Sequence, residues 1–181
     1  MNDRSLADYR RAARAVIAAH PIERLRLQVI SDSMWPLLCT GDAVIVQPID
    51  PDAGRGDCRV GDVLVAQRGA ELITHRLIAI DGEQWITRGD NAILVDAPVM
   101  RADCVGRVEA IERGTYQIDL TQPQWAQLNQ RLGQIGRVHW RINRWLRLAP
   151  ALSPLAIRLA WLIALPFRAL AHMLVMRVQA V

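Results

Sequence analysis

Lysine is missing from this chain: all 22 of its basic residues are arginine. Arginine keeps its proton at every accessible pH, so a serine nucleophile here has no amine base to draw on and must use histidine. Four histidines are present, and His75 is the only one between residues 21 and 138. Cysteine is nearly as scarce. Cys39, Cys58 and Cys104 form an odd set with no Cys-x-x-Cys and no nearby histidine pair, which excludes a disulfide framework and leaves no zinc signature. Neither a metal nor a cofactor is expected. Near the N-terminus the apolar run Ala15–Ala19 is too short for a signal-peptide core and far too short to cross a bilayer. The last deficiency is local: residues 122–181 contain no acid at all.

What is present divides the chain in three. With 181 residues, 51% of them hydrophobic, the chain can bury one sizeable core but hardly two. Residues 1–27 hold six arginines and three acids (net +3), residues 28–121 eight arginines and 15 acids (net −7), and residues 122–181 eight arginines (net +8). An acidic body thus carries a purely basic tail, which also holds Trp125, Trp140, Trp145 and Trp161. Such a tail suits an anionic membrane surface, an acidic partner or nucleic acid.

Hydrophobic periodicity assigns the elements. Leu6, Tyr9, Ala13, Val16 and Ile17 recur at helical spacing with Arg4, Arg10, Arg11 and Arg14 elsewhere, predicting an amphipathic helix that Pro21 ends. From Gln28 the texture becomes short β-rich runs, and 43–46, 63–66, 72–80, 84–87, 105–111 and 116–120 read as strands. Turns at Gly69, Asp81-Gly82 and Arg113-Gly114 join them. The polar segment Asp50–Arg59 reads as a surface loop. The expected fold is mainly β, with open or barrel-like antiparallel sheets, an N-terminal helix and a helical C-terminal tail. Within that tail Arg137, Arg141 and Arg144 share a helical face. The later run Leu155–Met176 is long enough to span, but Arg158, Arg168 and His172 interrupt it and Pro166 bends it. A central arginine costs about 2.5–3.5 kcal/mol on insertion, so an interfacial helix is the expectation, with packing on the body as the alternative.

The chemistry-bearing motifs come in a definite order. Ser31-Asp32-Ser33-Met34-Trp35-Pro36 precedes Gly41-Asp42, Gly61-Asp62, Thr74-His75-Arg76, Gly89-Asp90-Asn91, Asp96 and Gly106-Arg107-Val108. Over residues 27–113 this series resembles the catalytic domain shared by type I signal peptidases and LexA-type self-cleaving repressors. In that superfamily the serine sits in a Ser-Met-x-Pro turn ahead of a Gly-Asp, matched by Ser33, Met34, Pro36 and Gly41-Asp42. Histidine before arginine, with Gly-Asp-Asn and a second aspartate six residues on, is the pattern of the archaeal and endoplasmic-reticulum signal peptidases.

The resemblance implies a serine endopeptidase. Ser33 attacks the scissile carbonyl, His75 accepts its proton and passes it to the leaving amine, and Asp96 orients the imidazole. The Ser33 N–H and the Ser31 hydroxyl face the oxyanion, and Asp90 is a supporting carboxylate. Asp32 stands where glycine is usual, placing a carboxylate beside that site. The blander readings are a turn-forming Ser33, a packed His75 and an Asp96 that starts the turn at Pro98. The implied substrate is a precursor or leader peptide bound extended beside a sheet edge, with small residues near the cut. Five arginines at 131–147 precede the apolar run and Arg177 follows it. By the positive-inside tendency even a spanning tail would leave the catalytic body on the cytoplasmic side, which suits a leader-peptide processing peptidase as much as a secretory one. A degenerate peptide-binding module and a nucleic-acid-binding regulator are the readings outside the enzyme class, the second ranked last because the body is acidic.

Overall fold

The computed structural model describes residues 24–49, 58–92 and 94–147, with positions 169 and 173 besides. Eight strands precede one long helix: β1 (Leu25–Gln28), β2 (Ala43–Pro48), β3 (Val63–Arg68), β4 (Glu71–Asp81), β5 (Gln84–Arg88), β6 (Val99–Met100), β7 (Cys104–Arg113), β8 (Tyr116–Asp119) and α1 (Pro123–Arg147). All described pairings are antiparallel, in the order β1-β2-β7-β3-β4-β5-β6, with β8 on the far end of β7. The fold is therefore mainly β, an open antiparallel sheet with one helix. All six strand runs expected from periodicity are present. β1 and β6 were not expected, and β1 extends the sheet to Leu25, taking in the last three residues of the segment 1–27 assigned to the N-terminal helix region. That helix itself, the apolar run Leu155–Met176 apart from positions 169 and 173, and most of the 50–59 loop lie outside the described residues.

Two short turns of the same design launch the central strands. In each, a glycine precedes an aspartate whose carboxylate accepts the backbone N–H three residues back: Asp42 from Cys39 and Asp62 from Arg59, both at 2.8 Å. Gly41 and Gly61 carry φ of 96° and 112°, a backbone region closed to most side chains. The two Gly-Asp motifs are thus strand-entry turns. Asp42 goes further, taking a two-point ion pair from Arg113, which also donates to Leu37 O; together these fasten the β1–β2 loop to β7.

Both faces of the sheet are covered. On one, Met34, Leu37 and Leu38 from the β1–β2 loop pack with Val44, Val46, Val63, Val65, Val108 and Ile111, and α1 closes the cluster with Trp125, Leu128 and Leu132. On the other, Leu64, Ala66, Ile73, Leu77, Trp85 and Val99 join Ile49 and Cys58. The start of the basic tail is hence part of the body. Its apolar positions at 125, 128 and 132 are spaced for one helical face, and that face is spent on the sheet. Close approach is built in: a Cβ on Gly61 would lie 2.5 Å from Asn129 O, one on Gly133 2.5 Å from Gly61 N, and one on Gly136 2.4 Å from the Ile78 side chain. Cys39, Cys58 and Cys104 are free thiols, and burial pushes the Cys104 thiol up to about 12, an inert form.

Candidate active site

Ser33 occupies the β1–β2 loop, which the core anchors from below. Met34, Leu37 and Leu38 are essentially sealed from solvent, so the partly exposed Ser33 stands on a fixed base. The Asp32 carboxylate turns away from the serine and accepts both the N–H and the hydroxyl of Thr40, at 3.0 and 2.9 Å. These two hydrogen bonds hold it below the usual carboxylate range. Asp32, beside the serine, is thereby a loop clasp.

His75 projects from the middle of β4, buried on the strand face toward Ser33. Its Nε2 lies 3.0 Å from Ser33 Oγ and its Nδ1 2.6 Å from Asp96 Oδ2. Facing an ionised carboxylate, which can only accept, a neutral imidazole would carry its proton on Nδ1 and turn the Nε2 lone pair to the hydroxyl. Asp96 is held in turn by neighbours that sequence reasoning missed. The buried Thr87 hydroxyl donates to the same Oδ2 at 2.8 Å, the Asp96 N–H donates to Thr87 O, and the Arg68 guanidinium stands 3.5 Å from Oδ1. Ser31 Oγ is 3.3 Å from Ser33 Oγ.

The Gly89-Asp90-Asn91 turn closes over the serine loop. Asn91 N–H donates to Ser33 O at 2.8 Å, and its side-chain amide to Asp32 O at 3.1 Å. Gly89 is there because nothing larger fits: a Cβ would sit 2.5 Å from Ser33 O and 3.2 Å from His75 Nε2. Arg88 fixes the turn from behind through Ala92 O. Asp90 points elsewhere, making a two-point ion pair with Arg76 at 2.7 and 2.6 Å. Ser33, His75, Asp96 and Ser31 therefore converge, while Asp90 supports from the opposite face of β4.

Signals for the missed residues were weak. Thr87 ends the predicted strand 84–87, but nothing in that run distinguishes a hydroxyl aimed at a carboxylate from one facing solvent. Arg68 terminates β3 in a hairpin whose partner strand carries His75, so its proximity to the site is a register effect. Among the described residues no group of three or more His, Cys, Asp or Glu is placed to hold a metal ion. A cavity of about 750 Å³ between β2, β7 and the start of α1 includes none of Ser33, His75 and Asp96. Neither a protein-family model nor a curated protein matches the chain.

Proposed function

We propose that this protein is a serine endopeptidase of the histidine type that its motifs resemble among signal peptidases, cutting precursor or leader peptides. The observation that carries the reading is the continuous hydrogen-bonded series Ser33 Oγ, His75 Nε2, His75 Nδ1, Asp96 Oδ2, at 3.0 and 2.6 Å. Three residues from three separate segments meet in an arrangement that lets a weakly acidic hydroxyl lose its proton at neutral pH.

In this mechanism Ser33 Oγ adds to the scissile carbonyl while Nε2 takes its proton. The imidazolium that forms is stabilised by Asp96, which Thr87 and Arg68 hold in line. The carbonyl oxygen gains negative charge and is received by the Ser33 N–H and the Ser31 hydroxyl. His75 then returns the proton to the departing amine, and water repeats the sequence on the acyl-enzyme. The substrate lies extended beside the serine loop, with small side chains near the cut where Gly89 and Ser33 come together. Ile30, Trp35 and Leu94, near Ser33 and Asp96 in the chain, are exposed apolar residues.

The same reading places the body at an anionic membrane surface, with its catalytic face on the cytoplasmic side. Among the described residues no helix is long and apolar enough to cross a membrane. The support is charge: Arg131, Arg141 and Arg144 stand on the exposed side of α1, and Arg144 lies over the Trp140 ring at 5.6 Å.

The test is digestion of a proteome-derived peptide library, read by mass spectrometry, with wild-type protein beside Ser33→Ala and His75→Ala. Wild type should yield a coherent set of new termini that both variants lose. Equal cleavage by well-folded Ser33→Ala protein would sink the mechanism.

A further inference from the structure

We infer that Asn129, on a helix beyond the sequence motifs, is a positioning residue for the proposed serine site, acting through the buried guanidinium of Arg76; this rests on the peptidase reading above. Arg76 is 1% exposed, and a guanidinium so far from water must find its acceptors inside the protein. It finds them on three different segments. Nε and Nη2 take the two Asp90 oxygens, while Nη1 donates to Gly61 O at 2.6 Å and to Asn129 Oδ1 at 2.8 Å.

These contacts form a route to the serine. Asp90 lies between Gly89, whose backbone is pressed against Ser33 O and His75 Nε2, and Asn91, whose N–H is bonded to Ser33 O. Whatever fixes the Asp90 carboxylate therefore fixes the turn that clamps the nucleophile. Arg76 fixes Asp90, and Asn129 fixes the end of Arg76 that Asp90 does not hold. Asn129 reaches the guanidinium because Gly61 and Gly133 let the helix backbone come within van der Waals contact of the β2–β3 connection. Asn129 is itself buried, at 7% exposed. Its side chain is thus committed to a cation within the body. The catalytic unit extends past residue 121 into the helix.

The experiment compares Asn129→Leu, which keeps bulk and loses the acceptor, with Asn129→Asp, which keeps an acceptor oxygen. Amide hydrogen exchange reads the clamp with no need for a substrate. In Asn129→Leu the Asn91 amide should exchange about tenfold faster, the loss of roughly one charge-assisted hydrogen bond, while the Asp96 amide, bonded to Thr87 O, stays protected. With a cleaved peptide in hand, kcat should fall by a similar factor with KM within about twofold, and Asn129→Asp should restore both. If Asn129→Leu loses its cooperative melt, Asn129→Ser is read the same way. Unchanged Asn91 exchange in a folded variant overturns the inference even if the protein cleaves nothing. Faster exchange in a protein that cleaves nothing upholds the clamp and removes the peptidase reading instead.

Discussion

His75 and Arg76 are neighbours on one buried strand, and they are treated in opposite ways. Successive side chains of a strand point to opposite faces, so His75 meets Ser33 and Asp96 while Arg76 meets Asp90, Gly61 and Asn129. The arginine's described bonds satisfy Nε, Nη1 and Nη2 within the body. The imidazole has two bonds, one of them to a partly exposed hydroxyl. One face of β4 encloses a permanent cation among its acceptors; the other sets an imidazole against a hydroxyl. The lesson is that neighbours on a common strand are separated by what they meet: the arginine, which keeps its proton, is tied to three segments of the body, while the imidazole, which can exchange one, is not.

The sharpest way to break this comparison is to disable one face at a time. His75→Ala should cost about six orders of magnitude in cleavage rate and little stability. Arg76→Met should do the reverse in kind, removing about 3–5 kcal/mol of stability because the Asp90 carboxylate is left buried and unpaired. Urea melts and turnover measured on both variants check the contrast. If Arg76→Met melts like wild type, the scaffold role is wrong.

The two aspartates refine it. Asp96→Asn should lower kcat severely, by up to about four orders of magnitude, because an amide cannot hold the imidazole in the required tautomer. Asp90→Asn should lower it far less, since it leaves His75 and Ser33 untouched. Equal losses at the two positions would erase the division between faces.

A second buried histidine supplies a pH test of the scaffold. His139 on α1 is fully shielded from solvent, and burial, then the nearby Arg88, pushes its pKa down to about 4. An unfolded histidine titrates near 6.5, so between those values the unfolded chain binds a proton that the folded chain refuses. Stability should accordingly fall as pH drops from about 6.5 to about 4, by on the order of 3 kcal/mol at the lower end, and this contribution should level off below. Urea melts at a series of pH values should show His139→Leu losing that component relative to wild type. Parallel curves would contradict it. The smallest effect expected is that of Thr87→Val, which removes one hydrogen bond to Asp96 and should reduce kcat about tenfold with KM unchanged.

Much of this was legible beforehand, for reasons that the particular residues make plain. The strands announced themselves through β-rich runs between turn signals, and β4 and β5 are joined at the Asp81-Gly82 turn that those signals indicated. The meeting of Ser33, His75 and Asp96 was foreshadowed by the ordered motifs that resemble the histidine-type signal peptidases, while the lack of lysine and the single central histidine pointed to His75 alone. β1 and β6 escaped because four and two residues are too few for a period to register. Arg76 and Asn129 are 53 positions apart, and no local pattern encodes such a pairing. The helix exposes a different limit. Trp125, Leu128 and Leu132 give the same apolar stripe whether the surface waiting for it is lipid or a sheet, and here the sheet takes it.

The central claim is that Ser33 is a nucleophile made reactive by His75. A fluorophosphonate probe, which bonds covalently only to an activated hydroxyl, tests it most directly when the adduct is located by peptide mapping. The account predicts one adduct, on Ser33, absent from folded His75→Ala protein. A folded wild-type protein that takes no label, or takes it on another serine, would contradict it.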